Sequence, residues 1–108
     1  MALNQAFYPQ ANTTNVAINN VSANVQVNIL TGGAGAGTGY QVRLYNNSTS
    51  TAFVAFGSSS SVVASLTTSL PMAPNSVEVF TVPYQTNYVA VIAAAAGGTL
   101  YATVGEGM

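Results

Sequence analysis

The chain has 108 residues, the size of a single domain with one core, and it has no cysteine, which excludes disulfides, thiolate nucleophiles and cysteine-ligated metals. Only Arg43, Glu78 and Glu106 carry charge, 3% of the chain where about 25% is usual. A single cation cannot neutralise a run of phosphates, so nucleic acid is excluded as a partner, and a surface of Asn, Gln, Ser and Thr at net charge −1 favours self-association or docking on a larger body.

Residues 1–11 contain Leu3, Phe7 and Tyr8 ahead of Pro9. Proline disfavours helix at the residue before it, so this segment is expected to be an extended arm, with a disordered tail as the alternative. An arm of this kind can add a strand to a neighbouring subunit, which makes Leu3, Phe7 and Tyr8 candidate partner-binding residues. The first five residues have neither a basic region nor an apolar run, so no secretory signal is read there.

A single β-sandwich domain is expected over 12–108. Residues 13–18 form a weak first strand. Over 21–30 Val21, Ala23, Val25, Val27 and Ile29 alternate with Ser22, Asn24, Gln26 and Asn28, a period of two that predicts a half-buried antiparallel strand with the first set inward. The glycine-rich stretch 32–39 reads as a loop. A phosphate cradle would need a Gly-Lys-Ser/Thr ending, and the chain has no lysine.

Residues 39–57 read as a hairpin. Tyr40, Val42 and Leu44 take one face of its first strand and Gln41, Arg43 and Tyr45 the other. Asn46 to Thr49 make the turn, and residues 52–56 return. Phe53 and Phe56 are oddly spaced, which predicts either a bulge or burial on both faces. A short strand is predicted over 62–66. Pro71 and Pro74 keep 70–75 out of any central ladder, as a turn-rich crossing. Strands follow over 76–82, 88–93 and 99–104, the last alternating Leu100, Ala102 and Val104 against Thr99, Tyr101 and Thr103. The chain then ends in a glycine-flanked tail holding Glu106.

This makes seven or eight short strands between Gly, Pro, Asn and Ser turns, with no amphipathic helix. The expected fold is all-β, an antiparallel β-sandwich, jelly-roll-like, with an extended N-terminal arm. No apolar run reaches the roughly 20 residues of a membrane helix, so no membrane partner is expected.

Catalytic chemistry finds few groups here. His, Lys, Asp and Cys are all missing, so a serine nucleophile has no base and a transition metal no ordinary ligand. Glu78 and Glu106 could form a glycosidase pair only by meeting across the fold. No enzyme activity, cofactor or metal site is expected, and the serines at 58–61 read as a loop. Arg43 reads as a structural or docking residue, pairing with Glu78 or Glu106 or reaching an acid on another subunit. The six tyrosines suit contact surfaces, bringing area and a hydrogen-bonding tip.

Three segments carry a family resemblance. They are Gln41-Val42-Arg43-Leu44-Tyr45-Asn46 running into Ala52-Phe53-Val54-Ala55-Phe56-Gly57, then Met72-Ala73-Pro74-Asn75-Ser76-Val77-Glu78-Val79-Phe80-Thr81-Val82-Pro83, then Tyr88-Val89-Ala90-Val91-Ile92 leading to Leu100-Tyr101-Ala102-Thr103-Val104-Gly105-Glu106-Gly107. Together they resemble small virion proteins of tailed bacteriophages, of the capsid decoration (cement) type, over about residues 40–107. The resemblance implies a protein of the capsid outer surface. It would bind the assembled major capsid protein as a homotrimer or homodimer and reinforce the shell against internal DNA pressure. Arg43 and Glu106, inside the resembling segments, join the arm residues as candidate partner contacts. The alternative is a head-fibre or tail module that binds a host-surface glycan, a role for which Trp and Asp would be useful and are missing.

Overall fold

The computed structural model of the protein describes residues 8–9, 13–27, 40–82 and 86–106. Among them are nine strands and no helix: β1 (Tyr8–Pro9), β2 (Thr14–Ala17), β3 (Ala23–Gln26), β4 (Tyr40–Asn47), β5 (Ala52–Gly57), β6 (Leu70–Met72), β7 (Val77–Val82), β8 (Tyr88–Ala93) and β9 (Thr99–Glu106). They form two antiparallel sheets. In sheet one β9 is flanked on one side by β1 and β2 in succession and on the other by β4, with β7 at the far edge. Sheet two runs β3-β8-β5-β6. The pairing is nested: β2 with β9, β3 with β8, β4 with β7 and β5 with β6. From β2 onward the chain changes sheet at every connection except β5 to β6.

Alternation builds the layer between the sheets, because successive strand residues face opposite ways. Val42 and Leu44 of β4, Leu100, Ala102 and Val104 of β9, Ala52 and Val54 of β5, and Val89, Val91 and Ala93 of β8 are buried in one apolar cluster. Phe56 and Phe80, one from each sheet, meet at a centroid distance of 5.6 Å and a tilt of 60°, an edge-biased aromatic contact. The β5–β8 register is unbroken from Ala52↔Ala93 to Gly57↔Tyr88. The phenylalanine spacing is therefore two-sided burial and not a bulge: Phe56 packs on the core and Phe53, of opposite parity, is half-buried on the outer face.

The expected hairpin over 39–57 is corrected. β4 lies in sheet one and β5 in sheet two, so the segment is an arch that carries the chain between layers. The predicted turn at Asn46 is corrected with it, since β4 continues through Asn47 and Asn46 is fully buried. Its amide nitrogen donates to the carbonyls of Ser50 (3.0 Å), Met72 (3.3 Å) and Ala73 (3.0 Å), and its Oδ1 accepts from Ser48 Oγ at 2.7 Å. Burying an amide costs free energy unless it is hydrogen-bonded, and here main-chain carbonyls of the arch and of the 72–73 loop supply the bonds. Gly98 closes the same corner at φ +91°. A Cβ there would lie 2.4 Å from Ser48 Cβ, so only glycine fits.

Three further expectations change. Val21 is 70% exposed, so the inward set of the second predicted strand starts at Ala23. Residues 70–72 form an edge strand despite Pro71, which is tolerated because an edge leaves one row of main-chain groups unpaired. Residues 62–66 form no strand. They belong to a strap over the outer face of sheet two. Ala64 N donates to Ser22 Oγ (2.9 Å), Asn24 Nδ2 donates to Ser60 O (3.0 Å), and Gly57 lies against Val62. Ala64 and the outward-facing Ala90 of β8 are both buried, yet neither belongs to the main apolar cluster.

The glycine-rich stretch 32–39 and Pro83 lie outside the described residues. No described helix is long and apolar enough to cross a membrane.

Candidate functional site

Sheet one has no such strap among the described residues, and its outer face presents the candidate site. The register sets the rows. Arg43 of β4 lies between Val79 of β7 and Thr103 of β9. One step along, Tyr45 lies between Val77 and Tyr101, with Asn15 of β2 beyond. One step the other way, Gln41 lies beside Thr81.

Each position follows from the same alternation that buries Val42 and Leu44: the residues between them must face outward. Tyr45 and Tyr101, opposite one another on neighbouring strands, stack at 5.9 Å with an interplanar angle of 19°. Tyr45 Oη donates to Asn47 Oδ1 (3.4 Å), and Gln41 Nε2 donates to Thr81 Oγ1 (3.3 Å). Thr13 and Thr103 share a hydroxyl–hydroxyl bond of 2.7 Å. Arg43 is exposed, and Val77 and Val79 are 45% and 43% exposed on the edge strand. The result is a face of paired aromatic rings, hydroxyls and amides, two valines and one guanidinium.

The predicted site residues separate. Leu3 and Phe7 lie outside the described residues. Tyr8 pairs through its backbone with Glu106, so β1 joins β9 of its own chain, and Glu106 belongs to a strand where a tail was expected. Arg43 lies opposite Thr103, three residues from Glu106 and thus roughly 10 Å along the strand. The proposed pairing of Arg43 with Glu78 does not occur: Glu78 is in register with the core-facing Leu44 and so lies on the other face of sheet one. The two charges cannot act on one bound group. Among the described residues no group of three or more His, Cys, Asp or Glu could hold a metal ion.

Sequence reasoning placed Tyr45 on the Arg43 face and Tyr101 on an unassigned one. It could not see their stack, because the β4–β9 pairing joins residues 56 positions apart (101 − 45). The two exposed valines were read only as part of a strand.

Among the described residues, fold and face together define an antiparallel two-sheet β-sandwich with one outer face covered and one open. Compared with known proteins, the chain matches no family model, no curated protein and no solved structure.

Proposed function

We propose that the chain is a jelly-roll virion protein that decorates and stabilises a bacteriophage capsid by binding the assembled shell, without catalysis. The nested pairing of β2–β9 around β3–β8, β4–β7 and β5–β6 carries this reading. Such nesting supports a jelly roll, an architecture shared by viral capsid and lectin domains. Fold alone does not assign function. Two further observations support the reading: the near-absence of catalytic groups in the sequence, and the resemblance of residues 40–107 to capsid decoration proteins. A protein held on a shell needs contact area, and the open face of sheet one offers it in two valines, an arginine and stacked tyrosines, the last two being residue types enriched at the energetic centres of interfaces. The major capsid protein is the partner, and the capsid outer surface is the location.

Mass spectrometry of purified virions with copy counting tests this. Hundreds of copies per particle are expected. A handful would indicate a fibre or tail component, and absence from the particle would overturn both assignments.

A second reading has one observation in its favour. The Tyr45–Tyr101 stack lies on an exposed face beside amides and hydroxyls, and sugar rings pack on such aromatic surfaces. Binding to a glycan array that is lost in Tyr101→Ala would favour a host-glycan module over a shell-bound one.

A further inference from the structure

We propose that β7 pairs antiparallel with β7 of a second copy, about a two-fold axis at Val79. The inference goes beyond shell decoration and does not depend on it.

Among the described residues the two sheets have four edges, and three are blunted. β6 has three residues and contains Pro71. β3 has four described residues. The β1/β2 edge is broken: Pro9 is opposite Gly105 but Thr14 is opposite Ala102, so the pairing shifts by two residues between them. β7 alone runs six residues in unbroken register, with no proline or lysine. Exposed, regular edges of this kind are templates for strand addition.

The hydrogen-bond phase says which atoms are free. Asn46 N donates to Ser76 O (2.9 Å), and Asn46 and Ser76 continue the β4–β7 register. Main-chain bonds in an antiparallel pair come at every second residue, so Glu78, Phe80 and Val82 bond β4. Val77, Val79 and Thr81 therefore turn their N–H and C=O groups to the open edge. Their side chains all lie on the outer face.

These three residues can pair only with one another, which leaves five registers, with axes at Val77, Glu78, Val79, Phe80 and Thr81. With Val79 on the axis, the pairs are Val79 with Val79, and Val77 with Thr81 twice, exchanging six main-chain bonds. The registers with axes at Val77 and Thr81 exchange two, and those with axes at Glu78 and Phe80 exchange four. One of them, centred on Glu78, also sets two carboxylates opposite each other at the close spacing of about 4.5 Å, where like charges destabilise. With Val79 on the axis, Glu78 instead faces Phe80 of the second copy. The edge is roughly 20 Å long and buries less than the ~1,200 Å² of a standard interface, so the dimer is reversible and concentration-dependent.

Sedimentation velocity on the full chain tests it. The weight-average mass is expected to rise with concentration from 10.9 kDa towards twice that value. Val79→Pro removes no bond to β4, because the Val79 N–H points to the open edge, and it is expected to stay at the single-chain mass throughout. Val79→Cys adds the chain's only thiol. The two-fold sets its Cα about 5.5 Å from its mate, within disulfide range, so mild oxidation is expected to cross-link it several-fold faster than Val21→Cys, an exposed position off the edge. A constant single-chain mass, association of a folded Val79→Pro like that of the parent, or equal cross-linking of the two cysteine variants each overturns the proposal.

Discussion

β8 and β4 hold the same kind of place in their sheets. Each is flanked by strands on both sides, and each turns alternate side chains away from the core. Yet outward-facing Ala90 on β8 is fully buried while outward-facing Arg43 on β4 is exposed. The difference lies in chain far from either strand. The strap after β5 folds over sheet two and is tied to Ser22 and Asn24; nothing among the described residues does the same for sheet one. A face that the chain covers itself selects small residues such as Ala90 and Gly57. The face that no described residue covers carries an arginine and a tyrosine stack instead.

The largest effect is expected from Ala90→Asp. A carboxylate under the strap would be buried without a partner, at a cost of about 3–5 kcal/mol, enough to unfold a marginal domain. Urea unfolding followed by circular dichroism measures it. A loss below about 0.5 kcal/mol would mean that the strap is not packed there, and the contrast between the faces would disappear.

Gly57→Ala should come next. The added Cβ would stand 2.7 Å from Val62 Cβ and 3.0 Å from its Cγ2, so the strap must shift, at about 1–3 kcal/mol. Val62→Ala combined with it should recover part of that loss. Strict additivity of the two changes would show that they do not touch.

Ser22→Ala removes the acceptor for Ala64 N, a part-buried bond of 2.9 Å. About 1 kcal/mol is expected. Amide exchange at Ala64 should accelerate while exchange in β4 and β9 stays unchanged. If both sheets respond equally, the strap is not a separable layer.

These tests reach the parts of the fold that the sequence conceals. The alternation of Val42 and Leu44, and of Leu100, Ala102 and Val104, made the central strands of sheet one legible, because period two with one apolar face has few other solutions. The arch at Asn46 was not legible. A polar turn between two strands looks the same whether the strands pair or cross to opposite sheets. Asn46 is buried only because carbonyls 26 and 27 residues later receive its amide. The strap misled for a related reason: Val62, Ala64 and Leu66 alternate like a strand, but no strand edge reaches them. Of the candidate site, Arg43 stood out as the one cation. Its open setting depends on which outer face the strap covers, and that is a long-range fact.

The smallest effect on stability belongs to Arg43→Gln. Arg43 makes no ion pair among the described residues, and Glu78 lies on the opposite face, so the exchange should move the unfolding free energy by no more than about 0.5 kcal/mol. Glutamine keeps hydrogen-bonding capacity and much of the side chain's length, so packing beside Val79 and Thr103 is little disturbed. What it loses is a planar cation that binds carboxylates through two parallel hydrogen bonds. No acid among the described residues of the face satisfies that capacity in the isolated chain. If the open face is the docking surface, Arg43→Gln should lower occupancy on purified shells while leaving the folded chain intact. The drop should shrink as salt rises, because an exposed charge pair is screened over about 10 Å at 0.1 M salt. Undiminished occupancy at low salt would separate the open face from docking and leave its exposure to be explained by the β7 edge alone.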